Sequence, residues 1–135
     1  MEATILIGRI VFSMIFVGAG IGHMADEAST TAAAEKAGLP NAKVLGQVSG
    51  ALLLLGGLAI ITGFWIDLAA AGLAALVLIM SVTMHQFWKF EGEEQQLQMS
   101  LFMKNLSIIG GCVIIFGFYA YGWDKTTIVG PLFDL

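Results

Sequence analysis

Four apolar runs of about 20 residues each dominate this chain, at about 3–24, 42–64, 66–88 and 98–122. That length is what a helix needs to cross a hydrocarbon core of about 30 Å. Inside lipid, only helices and closed barrels satisfy their own backbone groups, and these runs lack the period-two alternation of barrel strands. The chain is 58% apolar and 12% charged, against roughly 45–50% and about 25% in soluble domains. With 135 residues in total, four crossings leave only short connections. The fold class that follows is all-α: an integral membrane four-helix bundle with short loops, one domain over 1–135, whose first partner is the lipid bilayer.

The first run holds Arg9 and ends in "GHMADE", without the small-residue cleavage site of a secretory leader, so it is expected to remain as a permanent span. After it, "ASTTAAAEKAGLPNAK" offers Ser29 or Thr30 as an N-cap, an alanine-rich turn or two, and Gly38 and Pro40 as stop signals. A short surface helix between the first two spans, capping the bundle, is the expectation. "FWID" reads as the tight turn between the second and third spans, and "KFEGEEQQLQ" as a polar hairpin between the third and fourth. Trp123 is a candidate aromatic anchor in the tail. Small residues four apart, in "GAGIG" and at Gly46 and Gly50, suit close helix packing.

A net charge of −4 with no basic block gives no footprint for nucleic acid. Cys112 is the only cysteine, which excludes CxxC dithiol chemistry within this chain. No metal site is expected.

With antiparallel crossings, both termini fall on one side of the membrane, called side A, and the 25–41 and 89–97 connections fall on side B. Counting 1.5 Å per residue places His23 near the B end of the first span, and Gln47 and Ser49 one to two turns into the second. By the same count His85 is about one turn into the third, and Lys104 and Asn105 are about two turns into the fourth. Polar residues from all four spans therefore share the B half. Heptad-like stripes run through Arg9, Ser13, Phe16, Gly20 and His23, and through Asp67, Ala71, Ala74, Leu78, Ser81, His85 and Trp88. Rare polar residues in a membrane helix face the bundle interior or a cavity, so these stripes are expected to turn inward. The candidate ligand site is thus His23, Gln47, His85, Trp88, Lys104 and Asn105, roofed by the 25–41 segment. Arg9 and Asp67 are expected to form a structural ion pair on side A. The plainer readings are an interfacial ring for His23, a snorkelling ammonium for Lys104, an interhelical bond for Asn105 and interface-belt positions for Trp65, Trp88 and Trp123.

"GRIVFSMIFVGAGIGHM", "LPNAKVLGQVSGALLLLGGLAIITG", "MHQFW" and "FMKNLSIIGGCVII" resemble, in that order, the signature segments of the DoxX family of small four-helix membrane proteins, over about residues 5–118. The resemblance implies a multi-pass protein of a prokaryotic cytoplasmic membrane. It also implies association with membrane oxidoreductase assemblies, such as an archaeal thiosulfate:quinone oxidoreductase and a mycobacterial assembly linked to superoxide detoxification and sulfur transfer. A related vertebrate group resembles receptor-assembly chaperones. By position, the family's recurrent polar residues fall on Arg9, His23, His85, Lys104 and Asn105.

Two functional classes follow. The first is a membrane subunit of a quinone-linked oxidoreductase assembly, a redox subunit rather than a stand-alone enzyme, whose polar pocket binds a quinone-like or lipid ligand. His23, His85 and Lys104 would serve the carbonyl oxygens and protons, with Trp88 or Phe87 against the ring. A quinone is the cofactor such a site could take. Haem between His23 and His85 is disfavoured, because two interfacial histidines are more often not haem ligands. The alternative is a non-catalytic scaffold or assembly factor. Partners would be other membrane or redox subunits, or a second copy. A transporter is weaker, since the A half offers only Arg9, Ser13 and Asp67 as a polar path. Lys36, Lys43, Lys89 and Lys104 on side B against Arg9 and Lys125 on side A lean towards a cytoplasmic side B.

Overall fold

The computed structural model describes residues 2–122 and 127–133. Trp123 and Lys125 lie outside the described residues. The elements run α1 (Glu2–Ala25), α2 (Glu27–Lys36), α3 (Ala42–Thr62), α4 (Ile66–Met84), a 3-10 turn over Phe87–Lys89, and α5 (Gly92–Ala120). Of these, α1, α3, α4 and α5 are long and apolar enough to cross a membrane. The all-α, four-span fold and the short helix between the first two spans agree with the sequence reading.

Packing is closest between α1 and α3 and between α4 and α5. The first contact depends on glycine. A Cβ on Gly20 would stand 2.7 Å from Gly50 O and Leu54 N, and one on Gly50 would stand 2.8 Å from His23 Cβ, so the two backbones touch where no side chain fits. The core joins Phe16, Leu53, Ile60, Ile66, Ala70, Leu73, Val77, Cys112 and Tyr119.

Helix ends depart from the expected boundaries in instructive ways. Asp26, not Ser29 or Thr30, caps α2: its carboxylate accepts from Ser29 N at 3.1 Å, and a carboxylate at an N-terminus also answers the helix dipole. The far end of α2 closes as a Schellman turn, with Gly38 at φ 78, Gly38 N donating to Glu35 O and Leu39 N to Ala34 O. This folds Leu39 back over Ala34. Gly38 acts as the stop the sequence suggested.

The third apolar span runs over Ile66–Lys89, and its α-helix ends within it. Helix α4 stops at Met84, and His85 is its C-cap at φ −119, ψ 55, so His85 sits at the helix end rather than a turn inside it. The expected polar hairpin is also shorter, because α5 already begins at Gly92. Glu93 and Glu94 occupy its first turn, where the dipole favours acids, so polar residues that exclude lipid still build helix. The inward stripe of α1 holds, with Arg9, Ser13, Phe16 and Gly20 buried. That of α4 shifts to Asp67, Ala70, Leu73, Val77 and Ser81, leaving Leu78 and Trp88 exposed. Asp67 and Ser81 keep their expected places, and the residues between them sit one position earlier, Ala70 and Val77 in place of Ala71 and Leu78.

Candidate functional site

On side A, the expected Arg9–Asp67 ion pair is not formed. Arg9, 5% exposed, donates from Nε to Ile60 O at 2.7 Å and from Nη2 to Ile61 O at 2.9 Å. These carbonyls belong to the last turn of α3, which has no intrahelical donors for them. The guanidinium is drawn to them by geometry and by the negative end of the helix dipole. Asp67, fully buried in the first turn of α4, accepts instead from Phe133 N at 2.6 Å. Gly63 O accepts from Ile128 N and Val129 N, and Phe116 meets Phe133 edge-on. Arg9 thus ties down the α3 end of the α3–α4 corner, and Asp67, in the first turn of α4, pins the tail to it.

On side B, a cavity of about 430 Å³ lies beneath α2, within the 300–1,000 Å³ range of small-ligand sites. Its walls come from His23 at the end of α1, from Thr30 and Ala34 of α2, from Leu39, from Gly46 and Ser49 of α3, and from α4 between Leu76 and His85. Gly46 makes room for the roof, since a Cβ there would stand 2.9 Å from Thr30 Cγ2. Because α2 packs mainly on α3, the cavity fills the gap left beside α4. Ile79, 58% exposed, marks its lipid-facing edge.

Two polar points interrupt these apolar walls. His23 Nδ1 lies 3.1 Å from Ser49 Oγ, whose hydroxyl donates to Gly46 O at 3.0 Å. His85 Nδ1 lies 2.9 Å from Gln98 Oε1, and Gln98 Nε2 donates to Glu94 Oε1 at 2.8 Å. Each ring is therefore held at Nδ1 by a partner that is itself oriented. The roof is tethered separately. Glu27 Oε1 meets Lys43 Nζ at 2.8 Å, and Glu27 Oε2 accepts from Gln47 Nε2 at 2.7 Å. The Lys43 hydrogen bond, then that of Gln47, holds the Glu27 carboxyl below its ordinary pKa.

Of the six expected ligand residues, the cavity gathers His23 and His85. Gln47 points outward to the roof tether. Trp88, 52% exposed, meets Phe87 and Phe102 edge-on. Lys104 is exposed on α5 and Asn105 half-buried, and neither lines the cavity. Helical Cα–Cβ bonds lean to the N-terminus, so Lys104 leans towards side B, the direction in which a lysine snorkels. Sequence reasoning missed Thr30, Met80 and Thr83 as wall residues and Gln98 as the partner of His85. The signal for Gln98 was available only once α5 was known to start at Gly92.

A family model, DoxX, matches residues 4–86, which is more than half the chain and spans α1 to His85. The chain belongs to the DoxX family. No curated protein matches it. No solved structure matches it either. Within this DoxX chain the matched residues hold both cavity histidines and the whole roof, whereas Gln98, Lys104 and Asn105 lie beyond them.

Proposed function

We propose that this DoxX protein is a membrane subunit of a redox assembly that holds a quinone-like amphiphile in the cavity beneath α2. The supporting observation is that histidines from two helices stand on one apolar cavity, each fixed at Nδ1 by an oriented partner. Apolar walls with a few placed polar groups suit a ring and tail with a polar head. The gap beside α4 suits entry from the bilayer. A lone buried Cys112 offers no dithiol relay, so electrons would reach the ligand from a partner subunit.

A scaffold role has one observation in its favour. Only 6% of the most apolar window of α5 is buried, against 22–33% for the other spans, which leaves a long face for a partner helix.

The test is a mass-spectrometric and visible-absorption inventory of what co-purifies in mild detergent. His23→Ala and His85→Ala are expected to lose a bound quinone at normal protein abundance, whereas Lys104→Ala retains it. Ordinary phospholipid alone, unchanged in every variant and accompanied by a partner protein, would transfer the assignment to the scaffold.

A further inference from the structure

Resting on the reading just given, we infer that the cavity selects its ligand by hydroxyl donation, and so takes the reduced, hydroquinone form in preference to the quinone. Two short hydrogen-bond chains fix the hydrogens of the cavity. Ser49 has one hydroxyl hydrogen, and it goes to Gly46 O. With its hydrogen on Gly46 O, its oxygen accepts from His23, which puts the proton of that ring on Nδ1. Glu94, as a carboxylate, only accepts, so the amide nitrogen of Gln98 faces it. That turns the Gln98 carbonyl oxygen to His85, and Nδ1 of His85 must also donate.

A neutral imidazole protonated at Nδ1 has a bare lone pair at Nε2. Neither Nε2 has a partner among the described residues, so each is an acceptor for whatever enters. A hydroquinone brings two phenolic hydrogens. A quinone brings only carbonyl oxygens, which two lone pairs repel. Of the other hydroxyls on the wall, Thr83 donates to Ile79 O at 2.7 Å, and Ser29 and Thr30 belong to the roof, away from the His85 end. A neutral hydroxyl-headed lipid shares the donor chemistry and is the other source of such a ligand.

The experiment measures binding to the full chain in lipid nanodiscs under anaerobic conditions, with three probes: a short-chain hydroquinone, the corresponding quinone, and diacylglycerol. A preference for hydroquinone over quinone of about tenfold is expected, the size of one good hydrogen bond. Ser49→Ala and Gln98→Leu, which release the tautomers without emptying the cavity, are expected to bring the ratio towards one. Nitrogen NMR of labelled histidine is expected to find both rings protonated at Nδ1. Equal binding of hydroquinone and quinone, or rings protonated at Nε2, would overturn the inference and leave the quinone-site proposal standing. Diacylglycerol bound to the exclusion of both quinone forms would keep hydroxyl selection and remove the quinone. No binding of any probe would remove both.

Discussion

Arg9→Met tests whether the corner between α3 and α4 is closed by a cation on helix carbonyls. The substitution keeps an unbranched stem in a site only 5% exposed and removes the donors to Ile60 O and Ile61 O. Hydrogen bonds to a charged group contribute about 1.5–3 kcal/mol each. A buried cation also carries a desolvation cost that its removal relieves. The net expectation is a loss of about 3 kcal/mol in the unfolding free energy, with Arg9→Lys losing roughly half of that because one ammonium cannot serve both carbonyls in the same fork geometry. Reversible unfolding in mixed micelles gives the magnitude. Amide exchange gives the location: Gly63 and Phe64, whose N–H groups bond to Ala59 O, are expected to lose protection, whereas amides around the B-side cavity keep theirs. A loss below about 1 kcal/mol, or one felt first at the B end, would refute the clamp.

Further outcomes follow from other contacts. Gly50→Leu is expected to separate α1 from α3 and abolish folded protein in a gel-filtration assay, whereas Gly22→Leu, with open space at its Cβ, leaves the elution unchanged. Lys104→Leu is expected to leave cavity occupancy intact while lowering the insertion cost of α5 by up to about 3 kcal/mol, measured by a glycosylation-mapping assay; lost occupancy would place Lys104 in the site after all. The roof tether has a defined pH sense. The Glu27 carboxyl is held low by Lys43 and Gln47, so its contribution is complete above the ordinary carboxylate pKa and is lost as pH falls through the depressed value. Protection of the α2 amides, taken relative to the intrinsic exchange rate at each pH, is therefore expected to be flat from pH 7 to about 5, to fall below about 4, and to lose this acid response in Glu27→Gln. Asp67→Ala is expected to release the tail, read as faster proteolysis within 127–133.

The sequence made the membrane bundle legible because the cost of unsatisfied backbone in lipid leaves few folds, and runs of 20 apolar residues report directly on it. The inward stripe of α1 was legible for the same reason. What stayed hidden depended on where helices stop. Nothing in "MHQFW" marks Met84 as a last residue rather than His85 or Trp88, and the polar "EGEEQQ" reads as loop although it is favourable in a first helical turn. Those two boundaries decided that Gln98 reaches His85. They also placed Lys104 and Asn105 by depth alone, and depth carries no azimuth: Lys104 is at a suitable level and on the wrong face. Arg9 and Asp67 show the same limit. Opposite charges near one corner suggested a pair, but Arg9 found the carbonyls at the end of α3 and Asp67 an amide of the tail.

The place where α4 stops has a consequence for the depth of the cavity. Its 19 residues rise roughly 28 Å, close to a typical hydrocarbon thickness of about 30 Å, and the apolar span continues past them through the 3-10 turn to Lys89. His85, the first residue beyond the helix, therefore stands near the hydrocarbon boundary on side B, while the exposed Ile79 on the cavity edge lies six residues deeper. A ligand held there would keep its polar head at interfacial depth and its apolar part among lipid tails, so exchange with the bilayer would not carry the head through the hydrocarbon core.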